Sequence, residues 1–380
     1  MFEYIKTNKY FAQVTGSLEK YAIEEIKNIG AEVLNEVPRG IRFQCNQETL
    51  YRLLYTSRII QRILAPLLSL QCHSEKYLYN QAYSNIEWTN LFSLNDTFSI
   101  ITNVSNSHIK HSLYAGQILK DAICDQFRDK YGSRPNFTTK NGNIVFNLHI
   151  NKNWATISLD ISGTSMHKRG YRTQANTAPM QETLAATIIQ LSNWTGQKRL
   201  IDPMCGSGTL LCEGLMKYCN IPAGYLRSNS ALAFLPDFNL KIWETVKQTE
   251  NNKIIELPDN LIYGSDINED CIEITKNNLS NLPYGNQVQL KISRFQDLKE
   301  QNNFIIVTNP PYGLRIGKTE NINKTYNDLG DFLKQKCKQS EAYILCGKAE
   351  LVPELRLRAS WKKTLKNADI ETKLAKIIIR

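Results

Sequence analysis

The sequence predicts an α/β C-terminal half preceded by two smaller α+β units. Three observations carry this. From residue 181 onward, strand and helix patterns alternate, which builds a doubly wound, mostly parallel sheet. Four predicted strands in that half end in turns marked by Gly, Pro, Asp or Asn. Before residue 166 the elements group differently, first as βαββα and then as strands around one long helix, which is an α+β pattern.

The totals set outer bounds. At 380 residues the chain exceeds one ordinary domain, so two or three are expected. Apolar residues reach 42%, enough for real cores. The formal net charge of +10 favours a polyanionic partner, nucleic acid ahead of membrane. No apolar run reaches the roughly 18 residues of a membrane span, so no membrane association is expected. Residues Met1 to Lys6 lack a signal-peptide apolar segment. The nine cysteines contain no C-x-x-C pair, so no metal is expected, and their odd count without an export signal points to reduced thiols in a cytoplasm.

The first unit, residues 1–58, reads as strand 11–16, a helix capped by Ser17 and stopped by Gly30, strands 31–35 and 40–45, and helix 47–55. The second, residues 59–165, holds an apolar strand to Leu70, helix 75–82, strand 97–104, amphipathic helix 110–130, and strands 143–150 and 154–161. A basic cluster with an aromatic inside it, Lys168 to Arg172, opens the third, residues 166–380. A polar connector, 173–179, ends in Pro179. Then follow helix 181–193, strand 198–202, helix 209–219, strand 260–266, helix 269–280, strands 287–293 and 303–307, helix 324–338, strand 341–346 and two extended stretches over 359–378. Residues 221–258 interrupt the alternation as an insertion with some helix.

The chemistry lies at the strand ends. Asp202-Pro203-Met204-Cys205-Gly206-Ser207-Gly208-Thr209 joins a strand to a helix, where glycines let a ligand approach the free N–H groups of the helix N-terminus. The turn lacks the Lys-Ser/Thr of a phosphate loop. Asp202 would repel a pyrophosphate but suits an ammonium, as in S-adenosylmethionine. Asp266, followed by Ile267, closes the next strand and can accept from both ribose hydroxyls, although Asp266 or Asn268 could equally cap the following helix. Asp297 can accept from an adenine amine, with Phe295 or Leu298 lining the pocket, although read on its own it could as well be a solvated loop aspartate. Asn309-Pro310-Pro311-Tyr312 ends the fourth strand. Prolines cannot continue a ladder, so the chain turns rigidly there. The Asn309 side-chain oxygen and the Pro310 carbonyl can accept both hydrogens of an exocyclic amine, and Tyr312 can stack on the base. The bland alternative is a simple strand-ending turn.

The combination resembles a known family: class I S-adenosylmethionine-dependent RNA methyltransferases with an N-terminal THUMP domain, of the RlmL/YpsC type that methylates guanine N2 in 23S ribosomal RNA. The resemblance rests on Asp160 to Gly163, Met166 to Arg172, Ala178 to Ala186, Asp202 to Thr209 and Thr308 to Gly317. It implies a ferredoxin-like segment, a THUMP domain that holds structured RNA, and a Rossmann-like domain with a mostly parallel seven-stranded sheet. It implies S-adenosylmethionine as cofactor, with Asp202, Pro203, Cys205, Gly206, Gly208 and Thr209 at its methionine part. Asp266 and Ile267 would lie at the ribose, Asp297 at the adenine, and Asn309, Pro310, Pro311 and Tyr312 at the flipped target base. Larger members carry a second methyltransferase domain, and the expectation is that this chain stops short of one.

Cys205 is expected to pack beside the cofactor rather than act as a nucleophile. His167 is expected to be a hydrogen-bonded structural residue. Lys168, Arg169 and Arg172 are the candidate phosphate contacts. Transfer RNA guanine, adenine N6 and a non-catalytic RNA-binding role are the alternatives. A dehydrogenase is disfavoured by Asp202 before the glycines.

Overall fold

A computed structural model describes residues 1–140, 142–172, 180–228, 230–312, 319–367 and 370–380. The connector 173–179 and the stretch from Gly313 to Gly317 that extends the proline turn lie outside these residues.

Two sheets organise the molecule. The first unit contributes α1 (Glu3–Thr7), β1 (Lys9–Gln13), α2 (Glu19–Asn28), β2 (Glu32–Val37), β3 (Gly40–Gln44) and α3 (Gln47–Thr56). The second contributes β4 (Arg62–Gln71), α4 (Glu75–Asn85), β5 (Thr97–Ser105), α5 (Ser112–Tyr131), β6 (Asn136–Phe137), β7 (Ile144–Asn151) and β8 (Trp154–Asp160). Their strands form one continuous sheet of eight, ordered β2-β3-β1-β4-β8-β7-β5-β6. The apolar strand β4 is the seam, pairing with β1 on one side and β8 on the other. Contrary to the expectation from sequence, Ser17 does not cap α2. It stands in a turn at φ +76°, and Leu18 precedes the helix.

The second sheet holds seven strands, ordered β11-β10-β9-β12-β13-β15-β14. Its elements are α6 (Glu182–Leu191), β9 (Arg199–Asp202), α7 (Thr209–Tyr218), α8 (Leu240–Asn251), β10 (Ile262–Asp266), α9 (Glu269–Ser280), β11 (Gln289–Ile292), β12 (Phe304–Thr308), α10 (Thr319–Lys336), β13 (Glu341–Cys346), β14 (Ala359–Asn367) and β15 (Ile370–Ile378). All neighbours pair in parallel except β15, which runs antiparallel to β13 and to β14. Strand order reverses at β9, between β10 and β12, and ligands of open α/β sheets bind outside the carboxyl ends at such a switch. The central strand β12 is apolar up to Thr308 and buried at every residue.

The insertion fixes the first unit onto this domain. Helix α8 packs on α3, with Trp243 edge-on to Tyr51 at 5.9 Å and to Tyr55 at 5.7 Å between centroids. Edge-to-face pairs add about 0.5–1.5 kcal/mol each beyond the area they bury. Tyr4 donates to Asp237 at 2.6 Å and Tyr55 to Asn251 at 2.8 Å across the same joint. The Gly224 amide donates to the Tyr55 carbonyl at 2.8 Å, an approach that a Cβ at 2.9 Å from that oxygen would obstruct.

Charges are also buried at the joint. The Arg58 guanidinium donates to the carbonyls of Met216 (2.9 Å) and Ile221 (2.7 Å). Glu25 accepts from the Ser57 hydroxyl at 2.7 Å and from the amides of Arg58 and Ile59. Burial pushes the Glu25 carboxyl up, and these donors oppose the rise. Such groups persist because each has partners, and removing one leaves a buried charge alone.

Candidate active site

The glycine turn is built by its flanks. After β9 the Cys205 amide donates to the Ser265 carbonyl (2.9 Å) and the Gly208 amide to the Cys205 carbonyl (2.8 Å). From behind, the Thr275 hydroxyl donates to the Gly206 carbonyl at 2.7 Å and the Asn278 side chain to the Ser207 carbonyl at 2.9 Å. Both come from one face of α9, and sequence reasoning missed them. Polar residues at helical spacing on a helix with a buried face were the available signal.

The two glycines serve different purposes. Both are left-handed, Gly206 at φ +55° and Gly208 at +75°. A Cβ on Gly208 would stand 2.6 Å from Thr275 Cγ2, so this glycine admits α9. A Cβ on Gly206 would meet nothing within 4 Å. The bare backbone at 206 therefore faces open space at the strand rim, where a ligand can approach.

Asp202 is buried, at 2% exposure, and accepts from the Met204 amide at 3.2 Å. Burial pushes its carboxyl up to about 7; the Asp266 charge adds to the rise, and the Thr308 hydroxyl and Met204 amide oppose it. No ion pair neutralises Asp202 among the described residues. An ammonium beside it would restore the ionised form. Asp266 accepts from the Gly206 amide at 2.9 Å and the Asn268 amide at 3.0 Å, tying two strand ends together. The cap of α9 is Asn268, which accepts from the Asp270 amide at 2.9 Å, so Asp266 is not needed for that purpose. Ile267, 67% exposed, offers an apolar face beside it. Pro203 is buried and its carbonyl accepts from the Ser265 hydroxyl. These residues fit S-adenosylmethionine: a carboxyl that gains from an ammonium, an open glycine, a diol acceptor and an apolar rim.

Other expectations need correction. Phe295 and Leu298 are buried in the core beside α10, with Phe295 edge-on to Phe332, and Asp297 between them is exposed. The Thr209 hydroxyl accepts from Arg172 at 2.8 Å. Arg172 also pairs with Glu182 at 3.0 Å and donates to the Met180 carbonyl. Arg169 is 1% exposed and donates to Glu213 (3.3 Å), to the Met166 carbonyl (2.6 Å) and to the Arg58 carbonyl. Arg169 is thus buried among protein acceptors and does not reach a surface phosphate, while half-buried Arg172 is engaged by Glu182 and the Met180 carbonyl. Of the three, only Lys168 is exposed. The two arginines instead pin the chain after residue 165 to α7 and the glycine turn. His167 is structural as expected: its Nδ1 lies 2.8 Å from the Ser165 hydroxyl, and burial beside Arg169 pushes it down to about 4, so it is neutral at pH 7. Burial pushes the Cys205 thiol well above its usual value, so it is no nucleophile at neutral pH.

Asn309 stands half-buried just past β12. Ile306 pairs with Ile201, so Asn309 lies three residues beyond that pairing and Asp202 one. Strand spacing then places their Cα atoms on the order of 8 Å apart along the rim. Pro310 is buried and Pro311 exposed. Tyr312 is not free to stack as it stands. Its hydroxyl donates to Asn309 Oδ1, and its ring lies over Gly347, where a Cβ would fall 2.2 Å from Tyr312 Cγ. Asn367 reaches the same hydroxyl, and burial pushes the phenol upward.

Comparison with known proteins agrees with this geometry. The model "RMKL-like, methyltransferase domain" matches residues 169–376, a THUMP domain model matches 72–160, and an RlmL ferredoxin-like domain model matches 9–64. This chain belongs to the RMKL-like methyltransferase family. It is 32% identical over 371 residues to slr0064 of Synechocystis sp., covering 97% of this chain and 96% of that protein, whose name proposes an RNA methyltransferase. It is 31% identical to the ribosomal RNA large subunit methyltransferase K/L of Vibrio cholerae, covering 95% of this chain and 52% of that protein. The chain thus spans about half the length of the K/L relatives it matches. SMU.472, crystallised with S-adenosylhomocysteine (SAH), superposes with a TM-score of 0.86 at 25% identity, covering 98% of each chain. The family's cofactor is S-adenosylmethionine, as the sequence implied. Among the described residues no cluster could hold a metal, and no helix is long and apolar enough to cross a membrane.

Proposed function

We propose that this methyltransferase modifies the exocyclic N2 amine of a guanine in structured RNA, with 23S ribosomal RNA as the substrate. One observation carries the reading: a hydroxyl donor sits on Asn309 Oδ1, at the rim that also bears the open glycine. The side-chain oxygen is thus presented to a donor, and an exocyclic amine is such a donor. The name of the K/L relatives supports ribosomal RNA, and the THUMP match supports an RNA partner.

S-adenosylmethionine, when bound, supplies an electrophilic methyl group. The chain's residues do the rest. Asp202, Gly206 and Asp266 hold the donor's amino-acid and ribose parts. The flipped base displaces the Tyr312 hydroxyl, and the ring, released from its bond, stacks on the base. Asn309 Oδ1 and the Pro310 carbonyl accept the two amine hydrogens and favour a pyramidal nitrogen whose lone pair is available. Holding that nitrogen in line is the larger part of the rate effect. The nitrogen, cationic once methylated, then loses one proton to solvent and is acidic enough to need no dedicated base.

Nucleoside mass spectrometry of 23S and transfer RNA from a deletion strain tests the proposal. Loss of N2-methylguanosine from 23S RNA is expected. Loss from transfer RNA alone reassigns the substrate, loss of N6-methyladenosine reassigns the acceptor, and an unchanged profile refutes the function.

A further inference from the structure

With Arg169 buried and Arg172 paired to Glu182, only Lys168 of the basic cluster is exposed, and further cations that meet RNA are to be sought elsewhere. Strand β14 runs antiparallel to β15, which runs antiparallel to β13, so β14 and β13 point the same way. The carboxyl end of β14, Lys366-Asn367, therefore reaches the same rim as Asn309. Asn367 contacts the Tyr312 hydroxyl there. This strand end also touches the first unit. Around Gly16, at the position a Cβ would take, Arg39 Cγ lies at 3.6 Å, Lys366 Cδ at 3.8 Å and Lys366 Nζ at 3.9 Å. Next to it, Lys20 lies 4.8 Å and Lys363 6.0 Å from the centroid of the Tyr21 ring. Lys363 also lies 4.8 Å from Trp361.

Four cations from two units thus line one seam, Arg39 with Lys366 and Lys20 with Lys363, along the edge strand whose end reaches the target turn. Lys20, Arg39 and Lys366 are exposed and Lys363 is half-buried. Among the described residues none of the four is in an ion pair. The nearby Glu19 carboxylate accepts from the Arg39 amide, and Glu371, opposite Lys366, pairs with Lys373. Converging like charges repel, and a polyanion relieves that repulsion while releasing its own counterions. The joint buried around Trp243 and Arg58 holds the two halves of the patch in fixed relation.

We infer that Lys20, Arg39, Lys363 and Lys366 form one phosphate-gripping patch, split between the first unit and the C-terminal hairpin, that positions the RNA backbone flanking the target nucleotide. The inference rests on RNA being the substrate. The patch specifies no sequence; it fixes where the strand runs past Tyr312.

The test uses the full chain and a protein-free 23S RNA transcript. Binding is measured against salt concentration for the parent, for Lys366→Gln/Arg39→Gln, and for Lys334→Gln/Lys338→Gln. Lys338 lies just before β13, on the opposite rim, and Lys334 near it at the end of α10; both are exposed. Each phosphate contact adds roughly 0.7–0.9 to the slope of log affinity against log salt, so the first double variant is expected to lower the slope by about 1.4–1.8. The second is expected to leave it unchanged. S-adenosylmethionine affinity by calorimetry stays at the parent value in both, which verifies the fold. An unchanged slope in the first variant, or an equal fall in the control, overturns the patch while leaving the function standing. A parent that neither binds nor methylates the transcript overturns both.

Discussion

Asp202 makes cofactor affinity depend on pH in a direction and size that follow from its burial. Its carboxyl titrates near 7 in the fold, against about 3.9 in an unfolded chain. If the ammonium of S-adenosylmethionine requires the ionised form, affinity is scaled by the ionised fraction. A single site near 7, together with partial loss of the ligand's ammonium at pH 7.5, then makes binding roughly 15–20-fold weaker at pH 5.5 than at pH 7.5. Above pH 8 the ligand's own amine, with a pKa of about 7.7–8.0, loses its charge and affinity falls again. Calorimetry across this range reads the curve, and buffers of different ionisation enthalpy read the release of about half a proton at pH 7. Asp202→Asn should bind weakly with no rise from pH 5.5 to 7.5. The same shift acts on stability. The folded state holds a proton that the unfolded chain has lost between about pH 4 and 7, so stability is full below that window and falls as pH rises through 7. The loss is roughly 4 kcal/mol, from about three units at 1.4 kcal/mol each. Asp202→Asn should therefore raise the melting temperature at pH 8 and not at pH 4. A flat affinity between pH 5.5 and 7.5, or a slope that survives in Asp202→Asn, would refute the reasoning.

Three further outcomes are expected. Asn309→Ala should lower kcat/KM on RNA by a factor of about 10²–10³, the cost of removing one oriented polar group, with cofactor affinity near normal; equal losses in both would contradict its role. Gly206→Ala and Gly208→Ala each impose about 1–2 kcal/mol of left-handed strain. Thermal melting should show the 208 variant less stable, through its clash with Thr275, whereas cofactor titration should show the 206 variant blocked at the rim. Arg169→Leu should cost about 3–5 kcal/mol by stranding Glu213, and Arg169→Leu/Glu213→Leu should recover much of it. In denaturation and salt titrations alike, a change in the RNA salt slope of Arg169→Leu without a stability loss would restore Arg169 to the RNA surface.

The sequence disclosed the catalytic domain well because its signals are local. Alternating apolar strands and amphipathic helices placed the elements of the seven-stranded sheet to within a few residues, with helix 269–280 and strand 341–346 matching at both ends. The strand-end motifs were legible because a glycine turn or a proline pair restricts its own backbone. Helix α1 and the two-residue strand β6 escaped notice, being too short for any periodicity. The Ser17 cap failed because a left-handed turn takes that position.

What the chain determined by itself was the order of its elements, the chemistry at each strand end and the family they belong to. Tertiary structure decided which charges face water. Lys168, Arg169 and Arg172 look alike in sequence as members of one basic cluster, yet one is exposed and the other two are held by Glu213 and Glu182. Tertiary structure also brought Arg39 and Lys366, more than three hundred residues apart in the chain, to the same glycine. A side chain's partners across such separations depend on how two units dock, and neither local propensity nor periodicity carries that information.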